Sequence, residues 1–295
     1  MNTNAFHYDK RIIAFVDILG LSGHLLGSGG PKFAENIVAI ISEAISKDRA
    51  PSVKLSHIKS THKVKAYFPG WHNDADDMDC RISSISDSIV ISIPETTKRF
   101  GETKSPLFSV LVCLETVFHL QRLLLQLGIL TRGGISSGKL YHADNIVIGD
   151  ALVSAYRLES KCAIFPRVVL DPSVQNIMLK DETEKTKLTR RRVANLFAQD
   201  HDGMYFVDYL GLDLMSIEND WAKRLRRVEL FVNQELLEIQ DLIIMQKFRW
   251  LQSYIQKAKL YLQDNFKLAP HSTRGKLETA YPRRSAPSGR QQRNH

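Results

Sequence analysis

Short apolar runs alternate with helically spaced ones along the first 175 residues, and the two periods predict alternating strands and helices. Arg11 to Asp17 (RIIAFVD) is rich in β-formers and ends at an acid followed by a glycine-containing turn, which suits a buried strand. From Pro31 to Ser46 the apolar positions Phe33, Ile37, Ile40, Ile41 and Ala44 fall at helical spacing, and Pro31 fits a first turn. Ser52 to Asp79 is polar and irregular, with Pro69-Gly70 as a turn signal, and reads as an insertion or long connection. Arg81 to Ile93 (RISSISDSIVISI) alternates on both sides of Ser86-Asp87-Ser88, the pattern of a β-hairpin with the acid at or near its tip.

The logic then repeats. A helix is predicted from about Pro106 to Leu127, stopped by Gly128. Ile129 to Ser136 (ILTRGGIS) reads as a strand broken by a glycine pair, and Lys139 to Ile148 as a further strand or hairpin. Gly149-Asp150 opens a helix over Ala151 to Ser160, and a strand follows at Arg167 to Asp171. This order argues an α+β sandwich over residues 8–175, ferredoxin-like at its centre.

Residues 176–211 form a second stretch. Leu179 to Arg192 is dense in mixed charge and reads as a solvated surface segment; Asp202-Gly203 then turns into an extra strand, Met204 to Leu210 (MYFVDYL). Residues 212–269 hold no Gly or Pro, and Trp221, Leu225, Val228, Val232, Leu236 and later Leu262 keep helical spacing. One long helix or a helical hairpin is expected there, packed on the parent domain or supporting a dimer. Residues 270–295 are Pro, Ser, Gly, Arg and Gln with few apolar side chains, a composition that predicts a disordered basic tail.

Charge changes little in this picture once it is located. Of the net +8, the tail from Pro270 supplies +5, leaving +3 for the body, which argues against a nucleic-acid platform there. Cys80, Cys113 and Cys162 stand singly, with neither paired spacing nor a His at ligand distance, as expected of buried, reduced thiols. No basic region followed by an apolar stretch opens the chain, and Leu107 to Leu127 is interrupted by Glu115, His119, Gln121, Arg122 and Gln126. A cytoplasmic protein without a membrane span is expected.

Three constellations carry chemistry. Asp17 ends a strand and is followed at once by Ile18-Leu19-Gly20-Leu21, a turn whose amides could cradle phosphates while the carboxylate holds their cation. An acid before a glycine is also the ordinary make-up of a cap or turn. Asp87 sits in the Ser86-Asp87-Ser88 hairpin, where an acid is usually solvated; with Asp17 on a neighbouring strand it could complete a site for Mg2+ or Mn2+. Arg157 lies eight residues beyond Gly149 on a helix of small and apolar residues. It is either a surface Arg paired with Glu159 or Asp150, or a guanidinium aimed at phosphoryl oxygens.

Together these segments resemble the class III adenylate/guanylate cyclase catalytic domain. The family's Phe-x-Asp-Ile-x-Gly-Phe is similar to Phe15 through Leu21, with Leu at the last place; its second metal aspartate matches Asp87. Its Arg-x-Gly-Ile-x-x-Gly strand matches Arg132 through Gly138, and its Gly-x-x-Val-Asn-x-Ala-x-Arg-Leu-Glu helix matches Gly149 through Glu159. The resemblance spans roughly residues 10 to 172. It implies a ferredoxin-like cyclase sandwich, a nucleoside triphosphate substrate, and two Mn2+ or Mg2+ ions held by Asp17, Ile18 and Asp87. It further implies phosphate binding by Phe15, Ile18, Leu19, Gly20 and Leu21. The expected assembly is a head-to-tail homodimer in which Arg157 serves the partner's site.

The departures bear on substrate. The family's transition-state Asn is Val153 here, with Ser154 beside it. Its purine-reading Lys aligns with Arg81, or with Ser83 in a shifted register, and the acid that works with it is Ile146. Losing that matched pair removes ordinary purine recognition. The Asp-Ile-Leu-Gly start, the Ser-Asp-Ser hairpin, the Arg-Gly-Gly-Ile strand and Asp202 to Leu210 are similar to the pyrimidine cyclases of bacterial anti-phage (Pycsar) systems. That implies cyclic UMP or cyclic CMP as product and a separate effector that senses it. The alternatives are an adenylate cyclase and a catalytically inactive nucleotide sensor.

Overall fold

The computed structural model describes residues 8–20, most of 31–39, 79–99, 102–143, 146–180, 186–211 and 221–267. The expected insertion at 52–78, the basic tail and Leu21 lie outside the described residues, as do most of the helix expected at 31–46. What is described within 31–39 is helical.

The centre is a mixed α+β sandwich. Strand β1 (Asp9–Ile18) runs between β3 (Ser88–Pro94) and β6 (Thr131–Ala143), antiparallel to both, and β2 (Arg81–Ile85) lies outside β3. The order β2-β3-β1-β6 is the ferredoxin-like arrangement. The sheet continues through β8 (Val168–Leu170), parallel to β6, then β10 (Tyr205–Val207) and β9 (Phe197–Gln199), while β7 (Ile146–Gly149) folds back on the far end of β6. A separate hairpin pairs β4 (Thr97–Arg99) with β5 (Glu102–Lys104).

Alternation along β1 divides the molecule into two faces. Ile12, Ala14, Val16 and Ile18 enter the main core, against helix α1 (Pro106–Gln126) and the elements that follow it. Helix α1 is apolar nearly all round because most of its circumference is enclosed. It is the one described helix long and apolar enough to cross a membrane, and 83% of its most apolar window is buried inside the protein. It is a core helix. Ile13 and Phe15 face the other way, towards helix α2 (Asp150–Lys161), with Val90 and Leu140 beside them.

Several expectations are corrected. Gly133-Gly134 does not break its strand: β6 runs through it for 13 residues, because β1 on one side and β8 on the other pair with that stretch. Beyond Ala143 the chain forms the β6–β7 hairpin. The charged stretch after Leu179 is not simply solvated surface. Helix α4 (Lys187–Ala194) buries Val193 and ties Arg192 to Glu115 of α1. Helix α3 (Pro172–Lys180) and strand β9 were not foreseen. Among the cysteines, Cys80 and Cys113 are buried, whereas Cys162 is half-buried.

Helices α5 (Trp221–Glu238) and α6 (Leu242–Lys267) form an antiparallel hairpin, shown by Gln252 on Asn233 and Lys259 on Glu229. The hairpin docks on the sheet's far end through Trp250, whose indole donates to Asp200 at 2.7 Å, and Tyr254, whose hydroxyl donates to Asp208. Arg167, wholly buried, pairs with Asp200 and Asp202 and lies over the rings of Phe165, Phe206 and Trp250.

Candidate active site

The site forms where β1 and the β2–β3 hairpin end together. Pairing of β1 with β3 sets Asp17 opposite Ser88, and the amide of Ile18 donates to the carbonyl of Asp87 at 3.0 Å. The two aspartates, seventy positions apart in the chain, therefore occupy adjoining strand ends. At the hairpin, Ser86 takes a positive φ of 56°, a conformation a non-glycine residue adopts at some cost.

Beyond Ile18 the chain turns at Gly20, whose φ of 72° is the left-handed conformation that glycine accepts without strain. Here the structure corrects the phosphate cradle. Phe15 sits mid-strand with partners on both sides, and its ring meets Tyr156 edge-on at 5.7 Å. The amides of Ile18 and Leu19 are already spent, the first on Asp87 and the second on the Leu130 carbonyl at 2.9 Å. Any amide cradle therefore begins at Gly20. Ile18 buries its side chain in the core, so only its carbonyl could face a metal.

Two residues of the matched segments to which the sequence assigns no site role complete the site. Arg132 stands directly opposite Asp17 in the β1–β6 pairing, and its Nε donates to Asp17 Oδ2 at 3.1 Å. Its Nη2 lies 2.7 Å from Glu159 Oε1, an ion pair whose alignment falls outside hydrogen-bond geometry. Glu159 reaches this point because α2 lies very close to β6. A Cβ on Gly134 would stand 2.5 Å from the Ala155 carbonyl oxygen, so only glycine permits the approach. Burial pushes the Glu159 carboxyl up, Arg132 holds it down, and Asp17 and Asp87 push it up again. Glu159 thus lies within electrostatic reach of both aspartates. The clue in the sequence was an Arg before two glycines on a buried strand, a cation that requires an anionic neighbour.

A hard divalent cation shared with substrate phosphates needs only one or two protein carboxylates. Asp17 and Asp87 meet that demand. Among the described residues no group of three or more His, Cys, Asp or Glu is disposed to hold a metal ion.

Arg157 is not brought to this site. It is exposed on α2, while Glu159, two residues on, turns inward and is held by Arg132. Val153 and Tyr156 of α2 and Ile146 and Ile148 of β7 are also exposed.

By register Arg81 and Ser83 share the face of Asp17, about 13 Å and about 7 Å farther along the strands at the usual rise per residue. Ser83 is buried and bonded to Nε2 of His142 at 2.8 Å; Ser92 holds Nδ1 of the same ring at 2.8 Å. Arg81 binds Asp79 at 2.6 Å and the carbonyl of His142, yet keeps 38% of its side chain exposed. Ile146 is half exposed on β7 and pairs with Ala143. Ser83 is therefore turned inward, which corrects its assignment as a reading group. Arg11 completes the cluster, donating to Ser92 Oγ at 2.9 Å and to Asp79 at 2.7 Å. The His142 pKa is lowered to about 4, by burial first and then by Arg11 and Arg81, with Asp79 acting the other way.

No family model matches the chain, and no curated protein matches it. Among solved structures it is similar to a bacterial light-regulated adenylyl cyclase, with a TM-score of 0.39 and 13% identity over 78% of this chain. It spans 59% of that protein's length. A likeness of that size says nothing about chemistry, which rests on the residues above.

Proposed function

We propose that this chain is a nucleotidyl cyclase of the class III type that closes UTP into cyclic UMP and pyrophosphate, producing a second messenger for anti-phage defence. A separate effector reads the product, and the protein works in the cytoplasm. The observation that carries this reading is the meeting of Asp17 and Asp87 at adjoining strand ends, joined by the bond from the Ile18 amide to the Asp87 carbonyl.

Asp17 and Asp87 hold the divalent cations, Mn2+ or Mg2+ and two per site, with the Ile18 carbonyl in support. Bound there, the cations supply Lewis acidity that makes the ribose 3′-hydroxyl a better nucleophile and draws charge from the phosphoryl groups. The 3′-oxygen bonds to the α-phosphorus, the bond to pyrophosphate breaks, and the hydroxyl proton passes to water. The turn at Gly20 holds the terminal phosphates. Arg157, exposed on α2, offsets transition-state charge in a second copy's site. The exposed apolar residues Ile146 and Ile148 of β7 and Val153 and Tyr156 of α2 suit a head-to-tail homodimer. Arg81, still partly exposed, is the charged group left for base reading, and Ile146 offers no acid to work with it, which favours a pyrimidine.

The test is incubation of the purified chain with each nucleoside triphosphate and Mn2+, with products identified by mass spectrometry. Cyclic UMP supports the reading. Cyclic CMP moves the substrate to CTP, cyclic AMP moves it to ATP, and nucleotide binding without product makes the protein a sensor. The sensor reading draws on Val153, which stands where the family has its transition-state Asn.

A further inference from the structure

Arg132 lies between two carboxylates that make different demands on it. Its Nε bond to Asp17 occupies an oxygen that a divalent cation needs, whereas its contact with Glu159 leaves Asp17 free. The two acids are 14% and 5% exposed in their side chains, so neither can be left without a positive partner at small cost. Two cationic groups on one Asp17 oxygen repel, and a cation arriving there displaces the guanidinium from it. Glu159, fixed by the close approach of α2 over Gly134, remains to keep Arg132 in the site.

We infer that Arg132 is a positioning residue that works as a latch. It holds Asp17 while no divalent cation is present and is retained by Glu159 when the cation takes Asp17. The Arg132–Glu159 pair thereby sets how tightly the site binds metal. This rests on Asp17 being a metal ligand, as proposed above.

The latch and a plain sum of charges differ in one measurable respect. Mn2+ affinity is measured on the full chain without nucleotide, by the loss of the free-ion paramagnetic signal. Arg132→Met removes the competitor and should tighten binding about tenfold. Glu159→Gln leaves Arg132 wholly to Asp17 and should weaken binding by a similar factor. In the double variant nothing remains to be retained, so its affinity should match that of Arg132→Met. A double variant that returns to the wild-type value, as summed charge requires, overturns the latch and leaves Asp17 as a ligand. Unchanged Mn2+ binding in Asp17→Asn overturns both. Should Arg132→Met fail to fold, the wild-type protein serves: titration with Mg2+ should shift the Arg132 Nε–H resonance, assigned with Arg132→Lys, and no shift at saturation overturns the latch.

Discussion

The amide of Ile18 donates to the carbonyl of Asp87 at 3.0 Å, across the point where β1 and the β2–β3 hairpin end. One backbone bond thus bounds how far apart the carboxylates of Asp17 and Asp87 can stand. Asp17 is held by its strand and Asp87 by the tight turn between β2 and β3, which suits groups that must grip one pair of ions.

Arg157 and Glu159 lie on opposite sides of α2, so one chain should need another for turnover. Asp17→Asn and Arg157→Ala should each be inactive alone, and mixing the two should restore activity, because a heterodimer has one site with both residues intact. The check is product formation against mixing ratio at fixed total protein. No recovery in the mixture would place Arg157 outside the chemistry or in its own chain's site.

His142 gives the stability a defined pH dependence. Its unfolded pKa near 6.5 falls to about 4 in the fold, through burial and then Arg11 and Arg81. Below pH ~6.5 the unfolded chain takes up a proton that the folded one refuses. This group's contribution is therefore whole above that pH, drains as pH falls towards about 4, and changes no further beneath. The loss should be on the order of 3 kcal/mol. Urea denaturation at about pH 7 and about pH 4.5 should show it, and His142→Asn should flatten the difference between the two.

Arg167 is the buried cation that joins the helical hairpin to the sheet. Arg167→Met strands the carboxylate of Asp200, leaving it the Trp250 indole, the His201 amide and the exposed His201 ring, and should cost about 3–5 kcal/mol. Adding Asp200→Asn should recover part of that loss, since the stranded charge is then gone. Thermal melts of the two variants check the order.

The sandwich was legible because its strands and helices keep clean periods. β1, the hairpin around Asp87 and α1 can all be read from apolar spacing alone. Gly133-Gly134 misled, since a glycine pair signals a break unless strands on both sides hold it in register. Helices α3 and α4 were hidden because each is short and buries one side chain, Val174 in the first and Val193 in the second, where it lies among four cations. In the site, Asp17 and Asp87 announce themselves by their turns. Arg132, Glu159 and His142 do not, because each acquires its role from residues on another strand or helix, a matter of register and close approach that spacing along the chain does not encode. The amides of Ile18 and Leu19 were assigned to phosphates for the same reason: their bonds to Asp87 and Leu130 exist only in three dimensions.

The most direct test of the two-aspartate site is the paramagnetic resonance spectrum of the chain with Mn2+ and a non-cyclisable UTP analogue. Two ions about 3.5–4 Å apart should give an exchange-coupled signal. The signal should be present in the wild type and absent from both Asp17→Asn and Asp87→Asn. Isolated Mn2+ ions in the wild type, or a coupled signal that survives either substitution, would contradict it.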